Sequence, residues 1–110
     1  MNFQEVYQGS QPAPWVRDLT GKSGCYLVKE KGILGSVIYI GESHTGRLKK
    51  TLLRHFQHWK GKTSGPTFTK RGYVVAVVRT RPEIAKSTQD ALIDEYRPAL
   101  NTAGKGAWWE

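Results

Sequence analysis

The sequence predicts a small α+β domain, and three observations carry that prediction. Two short runs rich in β-branched and aromatic residues, Cys25 to Glu30 and Ser36 to Gly41, are joined by a turn holding two glycines. Apolar residues recur at helical spacing from about Thr45 to Trp59 and again after Pro82. A third run, Tyr73-Val74-Val75-Ala76-Val77-Val78, is apolar on both faces and predicts a central strand. At 110 residues there is room for one core and not for two.

Composition narrows the function before any motif is read. A hydrophobic share of 38% against 24% charged residues fits a folded chain and not a disordered one. The net charge of +8 implies a strong positive field over part of the surface, and nucleic acid is the first partner to consider. A single cysteine, Cys25, excludes an internal disulfide and reads as a small buried hydrophobe. With only His44, His55 and His58 beside it, a four-ligand structural zinc site is not expected. No stretch approaches the roughly 20 apolar residues that span a bilayer, so no membrane partner is expected. The first residues lack the charged and apolar regions of a signal peptide, which makes a cytoplasmic location the expectation.

The elements follow in order. Residues 1 to 22, broken by Pro12, Pro14 and Gly21, read as an arm anchored by Trp15-Val16 and Leu19, with a short helical turn. The hairpin comes next; a turn centred near Gly32-Ile33 sets Tyr26 roughly opposite Tyr39, with both hydroxyls on one face. The first helix takes Thr45 as N-cap and Leu48, Leu52, Phe56 and Trp59 as its buried stripe. Arg47, Thr51, Arg54 and His58 border that stripe, and His55 lies between stripe and border. Residues 60 to 71 read as a basic loop. Pro82 opens a second helix whose inward face is Ala85, Gln89, Leu92, Ile93 and Tyr96, and Pro98 stops it.

Gly24-Cys25-Tyr26, Tyr39-Ile40-Gly41, Arg54-His55-Phe56 and the closing set Leu92-Ile93, Tyr96, Pro98 and Asn101 stand in this order on these elements. Together they resemble the GIY-YIG nuclease domain. The resemblance covers residues 23 to 102, leaving 1 to 22 as the arm and 103 to 110 as a tail. It implies a three-stranded antiparallel sheet with flanking helices and an endonuclease that hydrolyses phosphodiester bonds in DNA with Mg²⁺ or Mn²⁺. In such a site a tyrosine helps take a proton from the attacking water, an arginine stabilises charge on the phosphate, and a glutamate holds the ion. The catalytic candidates are Tyr26, Tyr39, Arg47, Arg54, His55 and Gln89. Lys49, Lys50, His58, Lys60, Lys62 and Asn101 are candidate nucleic-acid contacts. The reading requires two phenols and a guanidinium to converge on one pocket.

Two positions depart from the family's pattern. Thr51 stands where most relatives carry the arginine, so that role passes to Arg47 or Arg54 or is lost. Gln89 stands where the metal-binding glutamate belongs, and a neutral amide oxygen is a poor ligand for a hard cation. Three explanations are open: a natural variant that draws its carboxylate from Glu42, an inactive relative, or a glutamine introduced to trap a complex. The rival reading is a catalytically silent module of the same fold that binds nucleic acid. DNA and RNA are not distinguished by the sequence, and a nuclease this short needs a partner domain or a second copy, as in a homodimer, to cut both strands.

Overall fold

A three-stranded antiparallel sheet carries a helix on each face in this computed structural model, which describes residues 1–32, 35–57 and 66–101. In chain order the elements are β1 (Tyr7–Gln8), β2 (Gln11–Pro12), α1 (Pro14–Arg17), β3 (Ser23–Glu30), β4 (Val37–Ser43), α2 (Leu48–Arg54), β5 (Tyr73–Thr80) and α3 (Pro82–Tyr96). The sheet order is β4-β3-β5. The central strand is therefore β3, buried from Ser23 to Val28, and not β5 as the doubly apolar run 73–78 predicts. An edge strand reads as central when something covers it: here Gln4 bridges Val75 across the outer edge, with N–H···O bonds of 2.9 and 2.8 Å.

The hairpin register pairs Tyr26 with Gly41 and Val28 with Tyr39, and a bulge inserts Ile38 as one extra residue of β4. Tyr26 and Tyr39 are thus diagonal neighbours on one face rather than directly opposite. Both strands also run further than the sequence suggests, starting at Ser23 and ending at Ser43.

Strand alternation divides the interior into two clusters. On the α2 side, Tyr26, Val28 and Val75 pack with Leu48, Leu52 and Phe56. On the α3 side, Leu27, Val37 and Ile40 pack with Ile93. The arm is a larger part of this core than two anchors: Val6, Ala13, Val16 and Leu19 are all buried within the α2-side cluster.

Helix α2 is shorter than its apolar spacing predicts. It runs only over Leu48–Arg54, and His55 and Phe56 continue as a turn. Thr45 does not cap it. No side chain caps the helix, whose N-cap residue is Arg47; the Leu48 N–H bonds to the Lys22 carbonyl at 3.0 Å, and just before the helix the Ser43 and Ser23 hydroxyls accept the Arg47 and Gly46 N–H at 3.1 and 3.0 Å. His58, Trp59, Lys60, Lys62, the tip of the hairpin turn and the tail after 101 lie outside the described residues. Among the described residues no helix is long and apolar enough to cross a membrane.

Candidate active site and nucleic-acid groove

The site is built on the two glycines of the tripeptides. Gly41 sits directly under the Tyr26 ring, where any Cβ would collide with the phenol. Gly24 has φ +148°, and a Cβ there would run into the Val78 carbonyl of the neighbouring strand. Glycine at 41 lets the Tyr26 side chain lie flat across β4, and glycine at 24 lets β3 approach β5 closely. Tyr26 is then 1% exposed.

Its hydroxyl meets His55, which is 2% exposed, at 2.7 Å from Nε2. On the other side of the imidazole, Nδ1 lies 2.7 Å from the Pro66 carbonyl oxygen. A carbonyl only accepts, so Nδ1 carries the hydrogen and Nε2 is the lone pair to which the Tyr26 O–H donates. Burial pushes His55 below the ordinary 6.5, against the stabilising pull of the Pro66 carbonyl and with help from the nearby Arg54 charge. The ring is neutral at pH 7. Burial, and next the neighbouring Tyr39, hold the Tyr26 phenol well above 10.0, while Arg54 pulls the other way.

Tyr39 is half-buried and completes a ring cluster, 6.3 Å from Tyr26 and 5.2 Å from His55 between centroids. Phe68 closes the cluster from the far side, 6.2 Å from Tyr39, and its N–H bonds to the His55 carbonyl at 2.6 Å. No buried side-chain oxygen or nitrogen among the described residues is left without a partner. The Tyr39 hydroxyl, which makes no hydrogen bond to the described residues, therefore meets solvent. Burial raises its pKa and Arg54 lowers it, in that order of weight.

Beside this cluster, α2 and the turn at Thr20-Gly21 enclose a groove of ≈ 580 Å³. Arg47, Lys49, Lys50 and Arg54 all line it, and no carboxylate among the described residues does. Neither tyrosine opens into it. The expected single pocket is thus two adjoining places, a cationic groove and a ring cluster, and Arg54 belongs to both: it lines the first, and its charge acts on all three rings of the second. Thr51 is half-buried on the same helix, one turn from Arg47 and from His55.

The candidate ligands of an ion lie on the other side of the sheet. Glu42 pairs with Cys25, whose thiol donates to the Ala85 carbonyl of α3 at 3.3 Å, so Glu42 shares the α3 side. Gln89, half-buried one turn beyond Ala85, faces the same side. Both Glu42 oxygens lie near Nδ1 of His44, at 3.1 and 3.2 Å. Among the described residues no group of three or more histidines, cysteines and carboxylates could cage an ion. Mg²⁺ is commonly held by one or two carboxylates together with substrate phosphates. Glu42 supplies a single carboxylate on that side and Gln89 a neutral amide oxygen, and by themselves they make no such site.

Asn101, expected among the nucleic-acid contacts, spends its amide elsewhere. Its Nδ2 donates to the Ile40 carbonyl at 2.8 Å and its Oδ1 accepts the Ile40 N–H at 2.7 Å, which closes the open edge of β4. Sequence reasoning did not single out Ser23, Ser43, Pro66 or Phe68. A serine four residues before Arg47 is no helix-cap signal, and nothing local links 66 and 68 to His55. No protein-family model matches the chain, and no curated protein matches it significantly.

Proposed function

We propose that the chain is a GIY-YIG-type endonuclease that binds the phosphodiester backbone of DNA in the α2 groove and hydrolyses it beside Tyr39. The observation that carries this reading is the groove itself, which among the described residues has four cations, no carboxylate and an arginine shared with the tyrosine–histidine cluster. Phosphates held against Arg47, Lys49, Lys50 and Arg54 would bring the scissile bond to the rim where the Tyr39 hydroxyl meets solvent. Tyr39 is a neutral phenol at pH 7, so its oxygen accepts a hydrogen bond from the attacking water and orients it. Arg54 stabilises the charge that gathers on the phosphate. Tyr26 and His55, both sealed from solvent, hold Tyr39 in place rather than touching the substrate. The Mg²⁺ or Mn²⁺ ion that the resemblance implies would supply charge stabilisation to the leaving oxygen, but Glu42 and Gln89 face the α3 side, away from Tyr39, and take no part in that step.

Incubation of supercoiled plasmid and of single-stranded DNA with the protein and Mn²⁺ tests the proposal. Nicking or shortening is expected, and intact DNA at every salt and pH would overturn it. The second reading, binding without cutting, is favoured by Thr51 and Gln89 standing at the arginine and glutamate positions. Gln89→Glu separates the two. Cleavage gained only in this variant would mark the native chain as a binding module, whereas cleavage by both supports the first reading.

A further inference from the structure

Across the arm from the basic groove, Asn2, Gln4, Trp15, Leu19, Val77 and Arg79 line a second cleft, of ≈ 200 Å³. Its position follows from register. Gln4 pairs antiparallel with Val75, so Asn2 falls opposite Val77, and Val77 pairs in turn with Tyr26. Residues two apart share a face, which puts Asn2, Gln4, Val77 and Arg79 on the Tyr26 side of the sheet. Leu19 is buried and Val77 half-buried, giving an apolar floor. The Trp15 N–H is committed to the Glu5 carbonyl at 2.8 Å, which fixes the indole plane. Asn2, Gln4 and Arg79 are exposed, and no carboxylate among the described residues lines the cleft.

We propose that this cleft takes one unpaired nucleobase of the strand whose phosphates lie in the groove, an inference that rests on the nucleic-acid reading above. A base presents an apolar flat face and a polar edge. The indole and the aliphatic floor suit the face, the two carboxamides offer both a donor and an acceptor to the edge, and the guanidinium suits a base carbonyl or ring nitrogen. Continuity supports the same occupant: Leu19 lines the cleft, and the next two residues, Thr20 and Gly21, line the groove. A strand crossing the arm would therefore set phosphates on one side and a base on the other. The substrate class this selects is single-stranded or locally opened nucleic acid.

The test is fluorescence anisotropy on a short single strand and on a strand of the same length without bases, with the native chain and with the double variant Asn2→Ala, Gln4→Ala. The native chain is expected to prefer the base-bearing strand about tenfold, in the range of one stacked base. The variant removes the two carboxamides and leaves the indole, so it is expected to lose about threefold of that preference while binding the baseless strand as before, which also shows that it is folded. Equal binding of both strands by the native chain, or an unchanged preference in the variant, would overturn the cleft and leave the groove standing. Binding of neither strand at low salt would overturn the nucleic-acid reading and this inference with it.

Discussion

Tyr39 and Glu42 are three residues apart on one strand and face opposite sides of the sheet. The Tyr39 side is closed and aromatic: Tyr26, His55 and Phe68 interlock there with every buried polar atom paired. On the Glu42 side that carboxylate rests on the exposed His44, Asp90 acts with it on the Cys25 thiol, and a glutamine lies one turn from Ala85. Strand alternation, with a period of two, explains the split. The comparison assigns rigidity, and the cost of disturbing it, to the α2 side. An ion on the α3 side would depend on what the substrate brings.

The sharpest break of that comparison is Gly41→Ala. A methyl driven into the Tyr26 ring is expected to cost about 3 kcal/mol, as overpacking of a filled core does, read as a lowered midpoint in chemical denaturation. Tyr26→Phe keeps the ring and removes the donor to His55 Nε2, and the unsatisfied buried nitrogen should cost about 2 kcal/mol. Asn101→Ala frees both polar groups of Ile40 at an edge that water can partly reach, and about 1 kcal/mol is expected from the lost bonds. Glu42→Gln removes only a pair with an exposed histidine, so a change under about 0.5 kcal/mol is expected. A large loss in that last variant would contradict the asymmetry between the two sides.

The same asymmetry has a pH signature. His55 binds its proton less readily in the folded chain than at the ordinary 6.5. Below that value the unfolded state takes up a proton that the folded state refuses, so this histidine's contribution is fully present above 6.5 and falls as the pH drops below it. An NMR titration of the ring should place its midpoint below 6.5, and a midpoint at or above that value would mean that the ring is not buried and neutral.

Much of the architecture was legible in the sequence, because periodicity reports burial directly. The inward face of α3 and the two hairpin strands follow from it. What periodicity does not report is who covers whom. The run 73–78 lies at the edge of the three strands, yet it reads as central because a segment from the start of the chain, at Gln4, covers that edge. The spacing that carries α2 on to Phe56 and beyond is real, but the last apolar positions are reached by a turn that presents His55 to Tyr26. The tripeptide tyrosines were readable as a pair. That one of them is sealed under the other strand depends on Gly41, whose missing side chain makes the space.

Lysines of the groove are expected to sharpen the picture from the binding side. Lys49→Ala and Lys50→Ala should each leave stability within about 0.5 kcal/mol and reduce the salt dependence of DNA binding by about one counterion.

The most direct test is single-turnover cleavage of a labelled DNA strand in Mn²⁺ by the native chain and by Tyr39→Phe, with binding measured in parallel. The ring cluster survives that substitution and only the solvent-facing hydroxyl is lost. The expected result is cleavage by the native chain and a fall of about a hundredfold or more in the variant, with DNA affinity unchanged. Cleavage by Tyr39→Phe at the native rate would show that the chemistry happens elsewhere.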